Sequence, residues 1–325
     1  MSDRGRFLPL GAAALALALV PLFGPPSYVM HMAVQILLWS FIYTAWSIMG
    51  RFGLVSLGHG AFLGIGMYVP ALLWNLYGVT PWLGIPLGVL LAVLSALVIG
   101  WPCFRLKVVG HYFALVTLAL TEVARLSIIA ARDITGGSLG MTPKPVPGGH
   151  SWWALQFVDK AYFFWIGLGL WLFGLWAWRA VDRSMRNPAL EAIAEDETAA
   201  AAIGIGVTRL KLEVTLISAA LTALGGAAMG QYLQYLNPET HAGIGISLQI
   251  VFAAIAGGMY AMLGPTVGAV LTLVLTEALR IAFGTTLIGA ANTIYGVLLI
   301  LFIIFMPRGI VGLIEERLRA RGAKA

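Results

Sequence analysis

Long apolar runs constrain this chain more than any other feature of its sequence. Hydrophobic residues make up 60% of the 325 residues and charged residues only 10%, which excludes an ordinary soluble domain. A helix needs about 20 apolar residues to cross the roughly 30 Å hydrocarbon layer of a membrane. The sequence therefore predicts an all-α integral membrane protein, with one transmembrane domain over residues 1–325. About ten spans are predicted, at about 7–24, 29–49, 53–76, 82–101, 109–131, 161–179, 210–235, 246–263, 265–283 and 289–306.

The lysines and arginines between these runs indicate the orientation of the chain. With the N terminus in the cytoplasm, the outer segments hold only Arg132, Lys144 and Lys160, and almost all the other basic residues fall on the inner side. Cytoplasmic loops carry such an excess, so ten spans with both termini cytoplasmic are predicted. Arg4 and Arg6 before the first run also resemble a signal peptide, but the length of the run favours an uncleaved span. The single cysteine, Cys103, excludes intramolecular disulfides, and no metal site is predicted.

A hydrophilic island at about 180–209 interrupts the apolar pattern on the inner side. Asn187 is a favourable N-cap before Pro188, and Gly204 is a favourable helix end, which predicts an amphipathic helix at about 187–204. Carboxylates beside an anionic membrane surface weaken lipid binding, so a protein partner explains the island better than a connector lying on the membrane. The predicted apolar side comprises Leu190, Ile193, Ala194, Ala201 and Ile203, and the predicted solvated side comprises Glu191, Glu195, Asp196 and Glu197.

The longest outer segment, residues 132–160, is predicted to be a structured loop. Its glycines allow backbone conformations that other residues avoid, and its length is unusual beside the short neighbouring links. A docking or gating role is favoured over a plain connector. The residues singled out in this loop are Thr135, Gly136, Gly137 and Gly140.

Two similar segments, TLALTEVAR at 117–125 and TLVLTEALR at 272–280, place charges inside predicted spans. Each sets a Glu and an Arg three residues apart on one helix face, as in a weak internal repeat. Charges in a span are costly, so they should face protein or water. They either shape a permeation path or its gate, or neutralise each other and pin helices together. The candidate residues are Thr117, Glu122, Arg125, Thr276, Glu277 and Arg280.

A second polar cluster contains Ser56 and His59 among glycines at 58, 60, 64 and 66. Glycines four residues apart let helices approach closely, so packing explains them without a ligand. A lone His inside a membrane more often makes one fixed hydrogen bond than a substrate contact. Both residues remain candidates for a translocation path.

Several segments together resemble the branched-chain amino-acid permease family of ABC importers, and its LivM-like branch more than its LivH-like branch. They are RFGLVSLGHGAFLGIGMYV at 51–69, GHYFALVTLALTEVAR at 110–125, TGGSLGM at 135–141, ALEAIAEDETAAAAIGIGVTRLKL at 189–212 and MPRGIVGL at 306–313. The resemblance implies an alternating-access importer of the bacterial inner membrane for branched-chain amino acids or related small polar solutes, urea included. It also implies three kinds of partner: a second, LivH-like permease, two cytoplasmic ATPase subunits, and a periplasmic substrate-binding protein that docks near the outer loop.

In such an assembly the ATPase subunits bind ATP and Mg, and this chain needs no cofactor. The chain lacks the phosphate-binding pattern G-x-x-x-x-G-K-S/T, so no ATPase activity of its own is expected. The resemblance assigns ATPase coupling to the island, through Asn187, Glu191, Glu195, Asp196, Glu197 and Gly204. A secondary transporter driven by an ion gradient is the alternative, because the Glu–Arg pairs could serve it. A membrane enzyme is disfavoured, since no nucleophile–base pair is apparent.

Overall fold

A computed structural model of the protein describes residues 15–283, 293–294, 296–297, 301 and 309–313. All the regular structure within these ranges is helical, apart from two isolated β-bridges. Short 3-10 helices lie at Val20–Phe23 and Gly137–Leu139. The α-helices are α1 Ser27–Gly50, α2 His59–Tyr77, α3 Pro81–Arg105, α4 His111–Ala130, α5 Arg132–Thr135, α6 Lys160–Asp182, α7 Asn187–Glu195, α8 Glu197–Ala202, α9 Val207–Leu233, α10 Pro238–His241, α11 Ile244–Gly257 and α12 Gly264–Phe283.

Eight helical segments in the described part of the chain are long and apolar enough to cross a membrane. They correspond to eight of the ten predicted spans, which confirms the all-α membrane fold. The predicted span at about 7–24 lies partly outside the described residues, and the span at about 289–306 lies mostly outside them.

The core of the bundle forms around α1 and α9, the two most buried spans. Large α1 side chains such as Tyr43 and Trp46 are completely buried. Helices α2 and α9 cross at small residues, where a Cβ added to Gly66 would lie 2.0 Å from the Ala223 carbonyl oxygen. Such contact needs glycine, so close packing explains this part of the glycine cluster, as the sequence indicated.

Two predicted spans are shorter as helices than their apolar runs. Residues 53–58 are not helical, and α2 begins only at His59. The helix of the predicted span at about 246–263 ends at Gly257, because Gly258 adopts a left-handed conformation with φ +114°. These breaks leave backbone groups that need other partners.

Candidate functional site

The hydrophilic island forms two short helices, α7 and α8, and not the single helix predicted at about 187–204. The break is at Asp196, whose backbone is extended at φ −151° and ψ 108°. Its carboxylate accepts hydrogen bonds from the backbone amides of Thr198 (2.8 Å) and Ala199 (3.0 Å). Asp196 therefore caps the start of α8, where the sequence had placed it on a continuous solvated face.

The ends of this helix pair match the prediction at one side only. Asn187 is the first residue of α7 and not its cap, so that prediction was wrong; its side-chain amide donates to Glu191 at 2.8 Å. Gly204 does end α8, in the left-handed conformation with φ +90°. The amides of Gly204 and Ile205 bond to the carbonyls of Ala201 (3.0 Å) and Ala200 (3.1 Å), which is the Schellman arrangement.

One face of the helix pair is packed against the membrane domain. Leu190 joins a buried cluster of residues from α1, the 52–54 segment, α3, α4 and α9, while Ile193 and Ala200 pack together with Val207. The apolar side is narrower than predicted, because Ala194, Ala201 and Ile203 point outward, Ile203 with 78% of its surface exposed. Together with the exposed Glu191 and Glu195, these residues form what we call the outer face of α7–α8.

An ion pair connects α8 directly to the span α9. The Lys211 ammonium lies 2.5 Å from the Glu197 carboxylate, and the two side chains are only 7% and 21% exposed. A second contact holds the start of α7, where Arg186 lies 3.0 Å from Glu213 of α9. Sequence reasoning missed Lys211 and Glu213 as site residues, although a charge within the first turns of a predicted span was a usable signal.

Both predicted Glu–Arg pairs form, in partly exposed positions, and each acquires one further partner. Arg125 pairs with Glu122 and also lies 2.5 Å from Glu239 of α10, a residue that the sequence analysis did not single out. Glu277 pairs with Arg280 at 2.6 Å and also accepts a hydrogen bond from the Tyr28 hydroxyl of α1. The added contacts support the pinning of helices; a role in a translocation path stays a prediction. Thr276 is exposed.

The polar candidates Ser56 and Thr117 bind the non-helical backbone before α2. The Ser56 hydroxyl accepts from the Gly58 amide at 3.1 Å, and the Thr117 hydroxyl accepts from the Leu57 amide at 3.0 Å. Thr121, one turn further along α4, donates to the Leu57 carbonyl at 2.7 Å. These hydroxyls satisfy backbone groups that have no helical partner, as the hydrocarbon layer requires.

His59 is completely buried and lies 2.8 Å from the Ser218 hydroxyl of α9. That hydroxyl has a single hydrogen, which it donates to the Ala45 carbonyl at 2.7 Å. The His59 Nε2 must therefore donate to Ser218, and the Nδ1 atom has no hydrogen-bond partner among the described residues. This single hydrogen bond agrees with a structural role for His59 and not with a substrate contact.

The four residues predicted for docking shape the outer loop from inside. Thr135 and Gly137 are buried, and the Thr135 hydroxyl accepts from the Gly137 amide at 3.1 Å. Gly136 and Gly140 both have φ +76°, and a Cβ on Gly140 would lie 2.2 Å from the Leu236 carbonyl oxygen. The most exposed large residue of this turn is Leu139, at 73%; a docking role for the loop stays a prediction.

In the described part of the chain, eight candidate spans with a pair of short helices seated on one end of the bundle indicate a multi-pass membrane protein of the transporter class. Residues 28–306 match the family described as branched-chain amino acid transport system / permease component. The chain belongs to this family, as its motifs indicated. It is therefore a transport permease and a multi-pass protein of the inner membrane.

The matched relatives include both branches of the family. The chain is 29% identical over 301 residues to the high-affinity branched-chain amino acid transport system permease protein LivM of Salmonella typhimurium, which covers 86% of this chain and 68% of that protein. It is 28% identical to the LivM of Escherichia coli over the same length. It is 27% identical to the LivH of Salmonella typhimurium over 276 residues, covering 81% of this chain and 87% of that protein. No solved structure matches the chain.

Proposed function

We propose that this chain is one of two permease subunits of an ATP-driven importer for branched-chain amino acids or related small polar solutes. The family supports the permease role, and the names of the relatives supply the class of solute. Because the chain matches both LivM and LivH proteins, a homologous second permease is the natural partner. Substrate crosses on a path between the two permeases, by alternating access.

The single observation that carries the ATP-driven part of the proposal is the geometry of α7–α8. Its inner face is seated in the membrane domain through Leu190 and Ile193, while its outer face presents both carboxylates and apolar groups. Such a mixed surface suits a protein partner better than lipid. A push on the outer face would pass to α9 through the ion pair of Glu197 with Lys211.

On the opposite side, a periplasmic binding protein would dock on the turn around residues 135–141. Mutual backbone hydrogen bonds between Met141 and Leu236, at 2.8 and 2.9 Å, hold this turn against the segment that follows α9. Pressure on the outer turn and pressure on α7–α8 therefore both reach α9, one at each end of the same helix. This arrangement fits a subunit whose two faces must communicate.

The proposal is tested by purifying the tagged chain from its native membranes in mild detergent and identifying its companions. We expect a second permease and two ATPase subunits, with ATP and Mg bound by the latter. Reconstituted proteoliposomes should then take up leucine, isoleucine or valine only with ATP inside and the binding protein outside. Excess unlabelled solutes, urea included, should then be compared as competitors of the uptake of a labelled amino acid, to define the substrate.

Uptake by the chain alone, driven by a proton or sodium gradient, would contradict the proposal and establish a secondary transporter. Asp133→Asn provides a control for later variants, because this exposed carboxylate lies on the outer side, away from α7–α8.

A further inference from the structure

Helix α3 presents an uninterrupted apolar stripe that is open along its whole length. Leu83, Leu90 and Leu94 are 66%, 51% and 43% exposed, and they lie three to four residues apart or in multiples of that spacing. Leu87, Leu97 and Val98 continue the same face. The helix contains no charged residue before Arg105 at its last position. A face of this kind suits acyl chains, in contrast to α4, which carries the Glu122–Arg125 pair.

Exposed tryptophans at both ends of this stripe locate the membrane boundaries. Trp82 and Trp101 are 52% and 49% exposed, and helix geometry separates them by about 28 Å. This distance matches the roughly 30 Å hydrocarbon layer, at whose edges tryptophan concentrates. Arg105 lies one turn beyond Trp101, with its guanidinium 5.5 Å from a Trp101 ring centroid. Arg105 is therefore at the level of lipid headgroups.

At this level a cleft of about 400 Å³ opens between the end of α3, helix α8 and the start of α9. Three cations line it, Arg105, Lys107 and Arg209, against one carboxylate, Glu197. Glu197 is already bound to Lys211, and Arg209 to Glu213. Arg105 and Lys107 form no ion pair within the described ranges. At the depth of the lipid headgroups, the cleft therefore holds two positive charges that have no carboxylate partner among the described residues.

We propose that this cleft binds the phosphate headgroup of an anionic phospholipid, whose acyl chains lie along the stripe of α3. Basic clefts beside membrane helices recognise such headgroups through charge, and the adjoining apolar face distinguishes a lipid from a free anion. The cleft also includes Thr198 and Ala201 of α8. A lipid bound there contacts both the membrane-facing helix and the helix joined to α9, so its occupancy favours the seated position of α8.

The test measures lipid retention by the purified full chain, with any companions that remain bound. The protein is placed in nanodiscs of phosphatidylcholine with increasing phosphatidylglycerol, and native mass spectrometry counts the retained lipids. We expect selective retention of phosphatidylglycerol. Arg105→Gln should weaken it about fivefold, and the double variant with Lys107→Gln about 25-fold, since each basic residue near an anionic surface contributes a similar factor.

Two controls separate charge from folding. The charge-preserving pair Arg105→Lys with Lys107→Arg should retain lipid as the unaltered chain does, and so should Arg132→Gln, which removes an exposed charge on the outer side. Equal retention of both lipids, or no loss in the double variant, would overturn the proposal. So would displacement of the lipid by millimolar inorganic phosphate, which would show a free-anion site. A double variant that lost the ATPase subunits but kept its lipid would instead assign the cleft to a protein.

Discussion

Neutralising Glu197 should release α8 from the membrane domain more strongly than neutralising Lys211. The two groups are 2.5 Å apart, but Lys211 is 7% exposed and Glu197 is 21% exposed. In Glu197→Gln the buried ammonium loses its counter-charge, and breaking a buried pair in this way costs roughly 3–5 kcal/mol. We take the lower end, about 3 kcal/mol, because Glu197 is in partial contact with water. This corresponds to about a 150-fold change in the equilibrium for opening, by which we mean the release of α8 from the membrane domain.

Lys211→Gln has a smaller expected cost, because the carboxylate that remains can turn toward solvent. Losing a charged hydrogen bond without burying the remaining charge costs about 1.5 kcal/mol, or about 12-fold. The reversed pair, Glu197→Lys with Lys211→Glu, restores opposite charges at the same two positions and should recover most of the loss. Asp133→Asn, on the far side of the protein, should leave the attachment of α8 to the membrane domain unchanged.

A released helix of six residues does not stay formed in water, so hydrogen exchange of the α8 amides reports this opening. The useful probes are the amides of Ala200, Gly204 and Ile205, whose hydrogen bonds within 196–205 exist only while α8 is formed. Their exchange should accelerate about 150-fold in Glu197→Gln and about 12-fold in Lys211→Gln. In proteoliposomes, the ATP hydrolysed per solute imported should rise in the same order. Equal rates in the two variants, or a larger effect of Lys211→Gln, would refute the reasoning from burial.

Two further predictions concern local geometry. Hydrogen bonds from the Thr198 hydroxyl and from two backbone amides lower the pKa of Asp196 below its ordinary value. The stabilisation of α8 by the ionised Asp196 is therefore complete above about pH 4 and is lost as the pH falls through the lowered pKa. Hydrogen exchange of the α8 amides should show this loss of protection. Asp196→Asn, whose amide can still cap the helix, should remove the pH dependence. Gly66→Ala should lower the free energy of unfolding by at least about 1–3 kcal/mol, because its Cβ would lie 2.0 Å from the Ala223 carbonyl oxygen. Gly169→Ala, whose Cβ meets open space, is the control. Thermal unfolding in detergent compares the two variants.

The spans could be predicted from the sequence because the thickness of the membrane sets the length of each apolar run. Lys160–Asp182 differs from the predicted 161–179 by only a few residues. The division of the island could not be found in the same way, because ETAAAA after Asp196 continues a helical composition. Asp196 looked like one more solvated carboxylate, and only its extended backbone shows that it caps a second helix. The pairing of Glu197 with Lys211 depends on how α8 is seated, which no spacing along the chain encodes.

Several polar side chains of the membrane domain form hydrogen bonds with backbone groups that a broken helix leaves without partners. Ser56 and Thr117 have this role before α2, so their chemistry is largely used inside the protein. Glu122 and Glu239 differ, since their side chains are 32% and 55% exposed while both contact the single Arg125. Two carboxylates against one guanidinium leave a net negative charge that lipid cannot accommodate. We therefore expect this cluster to face water or another protein chain and not lipid, and it stays a candidate for the translocation path.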